Sequence, residues 1–257
     1  MTIQPKTKGA ALLEEVNRLK REGQNNDFAL ARLRREAEAL RGVDPYHAHT
    51  ALGFLAGVTE NVPEVRKHFD IALRIATDQH FARQNYANIL RRLGFISEAR
   101  GHLFQAHQLV PSDLHLLKLL IDASGSSGRF QDTQQLIETR IRLAPKEVDP
   151  DDGTALAIAE FLRGYAISDD AVEGLQLLAS EVMHAAGVYS STIAYRLLGD
   201  EESEWLSGWW QVAAPVATVV KLNEALADRE AEAPSSAGDE HVTFLFVGGA
   251  PDGHHAE

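Results

Sequence analysis

The side chains of this chain that could do chemistry are its histidines, its paired carboxylates and one glycine–serine loop. Eleven His and no Cys leave imidazole and carboxylate as the only strong metal donors, and they exclude disulfides, thiolate sites and thiol nucleophiles. His47 and His49 are two apart at a helix start, and His102 and His107 are five apart on one helix. Neither pair has an acidic partner at standard ligand spacing, and no His-Glu-x-x-His is present, so no metal site is expected. His254 and His255 fall in the terminal Gly/Asp/His stretch. Ser124-Gly125-Ser126-Ser127-Gly128 has the composition of a phosphate-cradling loop, but such a loop needs a strand before it and a helix N-terminus after it. Asp151–Asp152, Asp169–Asp170 and Glu201–Glu202 are adjacent pairs at helix starts. Adjacent side chains diverge on a helix, and acids there complement the macrodipole rather than form an acid/base pair. No catalytic residue and no cofactor is therefore expected.

The elements that must carry these groups show a period. Gly94 and Gly128 are 34 residues apart, and so are Pro111 and Pro145, in the contexts HQLVPSD and IRLAPKE. That is the interval of a helix–turn–helix unit, with Gly closing its first helix and Pro opening the next unit. Between them Phe81, Tyr86, Leu90 and Leu93 share one helix face, and Ala99, Leu103 and Ala106 share a face of the next helix. Small Ala side chains at the crossing let the helices approach closely.

At these residues the chain resembles the tetratricopeptide repeat family. With His80 as first position, Ala87, Ala99, Ala106 and Pro111 match the family's small residues and its proline. The unit beginning at Tyr46 supplies Leu52, Gly53, Phe69 and Ala72, with Val65 and Thr77 departing. The unit beginning at Leu114 supplies Gly128 and Pro145, with Ile121, Thr133 and Arg140 departing.

The resemblance implies an all-α fold: a right-handed α-α superhelix, a solenoid of antiparallel helix pairs. The expected organisation is a helical hairpin or divergent repeat over 1–45, three repeat units over 46–147, degenerate repeats and capping helices over 148–229, and a linker and tail over 230–257. Gly164 and Gly199 extend the Gly series at intervals of 36 and 35, with helices expected over Thr154–Arg163, Asp170–Ala186 and Ser190–Leu198. Pro215 divides the next stretch into expected helices Glu201–Val212 and Pro215–Asp228, and Trp205, Trp209 and Trp210 are read as sealing the end of the core. HVTFLFVGG has the alternation of a strand and precedes a tail expected to be disordered.

In this family the concave face is lined by the first helix of each unit. Carried onto this chain, the ligand-facing positions are Phe81, Gln84, Asn85, Asn88 and Arg91, then Lys118 and Asp122. Amide and guanidinium groups suit a peptide backbone or carboxylate. Asn85 and Lys118 match two positions of the family's carboxylate clamp, whereas Thr50, Phe54 and Asp122 do not, and Asp122 would repel a carboxylate.

The net charge of −12 is concentrated: residues 1–42 carry +3, 43–145 carry +1 and 146–257 carry −16. No segment forms the basic stripe that nucleic acid requires. No apolar run approaches the roughly 20 residues that span a bilayer, and the N-terminus lacks a secretory core, so a cytoplasmic location is expected. The expected function is an adaptor or scaffold that binds a protein or peptide partner. The alternative is a repeat arm of a larger enzyme: VTFLFVGGAPDG is similar to the opening of a sulfotransferase domain without its Arg-Ser-Gly-Thr, and YRLLGDEESEWL to the junction before a 2-oxoglutarate/iron oxygenase without a His-x-Asp. A peptide-sensing regulator is the third class, for which residues 1–45 lack a clear DNA-binding unit.

Overall fold

The computed structural model describes residues 7–21, 27–146, 149–200, 203–232 and 239–249. The expected N-terminal start, the Glu201–Glu202 pair, most of the linker and the tail with His254 and His255 lie outside them. Eleven α-helices and three strands occupy the described residues. The first ten helices come in consecutive pairs, which is a TPR-like, helical-repeat fold with a small sheet near its C-terminal end. The chain divides into two compact units, Met1–Ile89 and Leu90–Glu257, with the boundary inside one helix.

The first unit holds α1 (Lys8–Arg21), α2 (Asp27–Leu40), α3 (Pro45–Val58), α4 (Val62–Ile75) and most of α5 (Gln79–Arg92). α3 is buried along its length from Ala48 to Gly57 because α1, α2 and α4 all pack on it. Its start is fixed by Pro45 in the first turn and by the Asp44 carboxylate, which accepts the His47 N–H. Gly53 lets Phe69 of α4 lie against α3: a Cβ there would stand 2.6 Å from the ring. Phe69 in turn stacks on Tyr86 of α5 with centroids 4.9 Å apart. The histidines find partners that their spacing does not reveal. His47 Nδ1 meets Asp44 at 2.8 Å. Buried His49 and His68 share one hydrogen bond, Nδ1 to Nδ1 at 2.9 Å, with Glu64 at 3.3 Å from His68 Nε2.

The second unit holds the end of α5, then α6 (Ile96–Leu109), α7 (Leu114–Ser126), α8 (Phe130–Leu143), α9 (Asp152–Gly164) and α10 (Asp169–Ala185). After them come β1 (Thr192–Gly199), β2 (Glu204–Val212), α11 (Val216–Glu232) and β3 (Val242–Gly248). Ala99 and Ala106, the small residues of the best repeat, are fully buried. α6 packs on α7, α7 on α8, and α8 on α9.

One turn recurs between the helices of a pair. Glu60, Gly94, Gly128 and Ala166 all have positive φ, at 54°, 82°, 84° and 55°. In each case the next residue's N–H reaches back five positions: Asn61 to Ala56, Phe95 to Leu90, Arg129 to Ser124 and Ile167 to Leu162, at 2.8–3.0 Å. The residue of positive φ donates to the carbonyl three positions back, as Gly94 does to Arg91 at 3.0 Å. This pairing satisfies the last carbonyls of the first helix and reverses the chain. The turn position corrects the expected glycine series: Gly164 is inside α9 and Ala166 makes the turn, while Gly199 ends a strand.

A larger correction concerns 190–212. The helices expected over Ser190–Leu198 and Glu201–Val212 are the antiparallel strands β1 and β2. Ile193, Tyr195 and Leu197 alternate with Thr192, Ala194 and Arg196, and Leu206, Trp210 and Val212 recur at even positions, so each strand has one apolar face. β3 is a strand, as expected, and it pairs parallel to β2 through the crossover helix α11. The inner face carries Leu206, Trp210, Val242, Phe244 and Phe246, which join Ile158, Leu162, Val182, Leu222 and Leu226 in one core. Phe244 lies over Gly208, where a Cβ would come within 2.4 Å of the ring. Only Trp210 of the three tryptophans is fully buried; Trp205 and Trp209 are half-buried on the outer face, with Arg196 over the Trp209 ring at 4.8 Å.

Ala166→Gly relieves a left-handed alanine and raises stability by about 0.5–1 kcal/mol. Gly128→Ala costs about 1–2 kcal/mol from φ alone, and more because its Cβ would meet Val172 at 2.7 Å. Urea midpoints moving in opposite directions test the pair. Burial lowers the pKa of both His49 and His68 below the ordinary imidazole value, with His49 adding to the effect on His68 and Glu64 opposing it. The unfolded chain therefore gains protons first, so stability present above about pH 6.5 is lost as pH falls below it. A urea midpoint lower at pH 5.5 than at 7.5, with a smaller difference in His49→Leu/His68→Leu, is the expected result.

Candidate functional site

The residues expected to face a ligand divide between the units. Phe81, Gln84, Asn85 and Asn88 follow helical spacing on α5 within the first unit. Phe81 is 54% exposed, with its ring against His80 at a centroid distance of 4.2 Å. Asn85 is hydrogen-bonded to the Tyr46 hydroxyl, whose pKa is raised by burial and lowered in part by that bond. Gln84 and Asn88 are half-buried.

Arg91, Lys118 and Asp122 belong to the second unit, and there the structure brings them together. Lys118 and Asp122 are exposed, one turn apart on α7. Lys118 Nζ donates to Asp149 at 2.8 Å, which raises the pKa of the lysine and lowers that of the aspartate. The walls around Asp122 raise its carboxyl pKa, opposed by Arg91 and then Lys118, and reinforced by Asp149 and Asp151.

Asp122 borders a cleft of ≈ 380 Å³. Its floor is apolar, from Ile121, Phe130, Ile137 and Ile158; its rim is polar, from Asp122, Ser126, Asp149, Asp151, Asp152 and Thr154. Ile193, Ala194 and Tyr195 of β1 form one wall. Tyr195 is locked there: its hydroxyl donates to the Ser126 carbonyl at 3.1 Å, its ring meets Phe130 edge-on at 5.0 Å, and burial pushes its pKa well up.

Sequence spacing missed most of this cleft. Two acids of its rim, Asp149 and Asp151, come from the connection between α8 and α9, which runs over 144–151, and a third, Asp152, opens α9; the corresponding connection between α6 and α7 is only 110–113. Arg140 explains that connection. It stands where the repeat pattern has a small residue, is 4% exposed, and is paired with Asp152 and with Asp149 at 3.6 Å. A buried guanidinium needs such partners. Asp152 thus serves Arg140 and not the macrodipole alone. Likewise Asp169, read from sequence as a helix-start acid, is buried and caps a different helix. Its carboxylate accepts the N–H of Gln131 and of Asp132, both at 3.0 Å, at the start of α8, whose own preceding residue Arg129 supplies no cap. Burial would lower the pKa of Arg129, but Asp132, Glu173 and Asp170 bind its guanidinium and together hold that pKa up. The wall from β1 was visible only as the alternation of Ile193, Tyr195 and Leu197, a signal hidden by continuing the helical series.

The comparisons with known proteins add little. No protein-family model matches the chain, and no curated protein matches it. Among solved structures, that of Pseudomonas aeruginosa pilF is similar at 16% identity, over 70% of this chain and 83% of that one, with a TM-score of 0.45. A likeness at that level carries no functional argument. Among the described residues no three His, Asp or Glu side chains are placed to hold a metal ion, and no helix is long and apolar enough to cross a membrane.

Asp169→Ala strips two N–H groups of their acceptor and costs about 1–3 kcal/mol. Asp169→Asn, which keeps an acceptor oxygen, costs less. Chemical denaturation of the two variants beside wild type gives the order.

Proposed function

We propose that this chain is a binding module and not an enzyme, and that it takes a segment of a partner protein or peptide. In the second unit the ligand occupies the cleft, with Arg91, Lys118 and Asp122 at or near its mouth. In the first unit Phe81, Gln84, Asn85 and Asn88 offer contacts of the same kind on α5.

One observation carries the reading: the cleft combines an apolar floor with a polar rim at a volume of ≈ 380 Å³, within the common range for ligand sites. Isoleucine and phenylalanine supply the area from which binding free energy comes. The carboxylates and hydroxyls at the rim orient a ligand without being set up for chemistry. Ser126 and Thr133 line the cleft, in whose lining the described residues place no imidazole, and the hydroxyl of Thr133 donates to the Arg129 carbonyl at 2.7 Å. A nucleophile needs a base within hydrogen-bond reach.

Affinity capture from native lysate tests the reading, with wild type beside Asn88→Ala/Arg91→Ala and Lys118→Ala/Asp122→Ala. A partner held by wild type and weakened about tenfold or more by either double variant is the expected result. A partner retained by both variants places binding elsewhere and ends this assignment.

A further inference from the structure

The two edges of the small sheet are treated differently. In the hairpin, the Asp200 N–H donates to the Ser203 carbonyl at 3.0 Å, and on the other side of β2 the Gly249 N–H donates to the Val212 carbonyl at 3.2 Å. Backbone direction alternates along a strand, so even-numbered residues of β2 face β3 and odd-numbered ones face β1. Register then turns Thr192, Ala194 and Arg196 toward β2. The N–H and C=O groups of Ile193, Tyr195 and Leu197 point to the outer edge. On β3 the outward residues include Phe246, and both of its groups are taken by Asn223 of α11: the side-chain amide donates to the Phe246 carbonyl at 2.9 Å and accepts its N–H at 2.8 Å. The β3 edge is closed there. On β1 no hydrogen bond from outside the sheet reaches the backbone of Ile193, Tyr195 or Leu197 among the described residues.

The cleft meets this open edge. Ile193 and Tyr195 project to one face of the strand and Ala194 to the other, so a cavity lined by all three touches the strand along its side. Four aspartates, Asp122, Asp149, Asp151 and Asp152, line the same cavity, and among the described residues no Lys or Arg lines it. Asp149 and Asp152 are engaged by Lys118 and Arg140, whereas Asp122 and Asp151 form no ion pair among the described residues and can face an incoming cation, Asp122 in competition with the nearby Arg91 and Lys118. An unpaired edge is a template for another strand. We propose that the outer edge of β1 is a strand-addition site for an extended peptide segment bearing Lys or Arg at alternate positions.

Charge decides among occupants. A second copy pairing β1 to β1 would bring its own Asp122 and Asp151 against the same residues. The chain's terminal segment, 250–257, carries Asp252 and Glu257 and no Lys or Arg. A cationic strand instead gains main-chain hydrogen bonds from the edge and ion pairs from the rim. The inference rests on the peptide-binding reading for its choice of cleft, and adds the conformation and charge of the ligand.

Fluorescence anisotropy with a labelled peptide of eight alternating Lys and Val residues tests it, with a Glu/Val peptide as control. The expected result is salt-sensitive binding of the Lys/Val peptide, with affinity at least tenfold above that of the Glu/Val peptide. Asp122→Asn/Asp151→Asn weakens it several-fold. Ile193→Pro and Leu197→Pro remove outward N–H groups without touching the ladder to β2, and weaken binding at least tenfold while the circular dichroism stays that of wild type. Proline can also disturb the hairpin, so the ligand is varied on unchanged protein. N-methylation of the Val amides and of the Lys amides, in two separate peptides, abolishes binding in one and spares it in the other, because a strand paired on one side uses alternate amides. Failure of the Lys/Val peptide to bind, equal effects of the two methylation patterns, or unchanged binding to both folded proline variants overturns the inference. So does dimerisation of the wild type in sedimentation that Ile193→Pro removes, which would make the edge an interface between copies. A lysate partner lost in Lys118→Ala/Asp122→Ala and retained in Ile193→Pro would sink this inference alone and leave the binding role standing.

Discussion

A helix ends with carbonyl groups that have no partner inside it, and wherever such an end is buried something must satisfy them. Among the described residues the chain solves that problem five times with one backbone device, a single residue of positive φ at 60, 94, 128, 166 and 187 followed by a residue whose N–H reaches back five positions. In the pairs α3–α4 and α7–α8 the turn brings the two helices back against each other. What packs between α3 and α4 is then decided by side-chain size, with Phe69 over Gly53 where a ring must fit. Glycine makes the turn without strain at 94, 128 and 187. Glutamate and alanine, both exposed, tolerate it at 60 and 166, where the hydrogen bonds of the turn hold the conformation in spite of its cost.

That distinction decides how far the repeat could be read from residue types. Where glycine and proline hold the special positions, at Gly94, Pro111, Gly128 and Pro145, their spacing named the helix pairs and nearly their limits. Where Ala166 makes the turn there is no mark in composition, and Gly164 two residues earlier offered a false one. The same limit explains the strands. Over 190–212 the apolar residues recur at every second position, but a series of helices leading up to them made a helix the natural continuation. Trp205, Trp209 and Trp210 fit either period until Gly208 and Phe244 are seen face to face.

The candidate site was legible to the extent that it lies on the repeat. Lys118 and Asp122 follow from helical spacing on α7. Asp149, Asp151 and Ile193 do not, because a connecting segment and a strand carry them, and their meeting with α7 is a matter of tertiary structure. Arg140 is the instructive residue. It breaks the repeat pattern, and by requiring carboxylates beside it, it draws the α8–α9 connection into the rim of the cleft. A departure from the pattern thus marked the site better than agreement with it.

The cap that Asp169 places on α8 reaches beyond local stability. α8 belongs to the third repeat, yet the acceptor for two N–H groups of its first turn, those of Gln131 and Asp132, comes from the start of α10, a whole helix pair later. Structural units in this part of the molecule are therefore not the units of the repeat. When α10 detaches, the amides of Gln131 and Asp132 lose their protection with it, so amide exchange at these two positions should follow the opening of α10 rather than the fraying of α8. A fragment cut after the third repeat would keep every contact that defines the motif and still lack the group that starts its last helix.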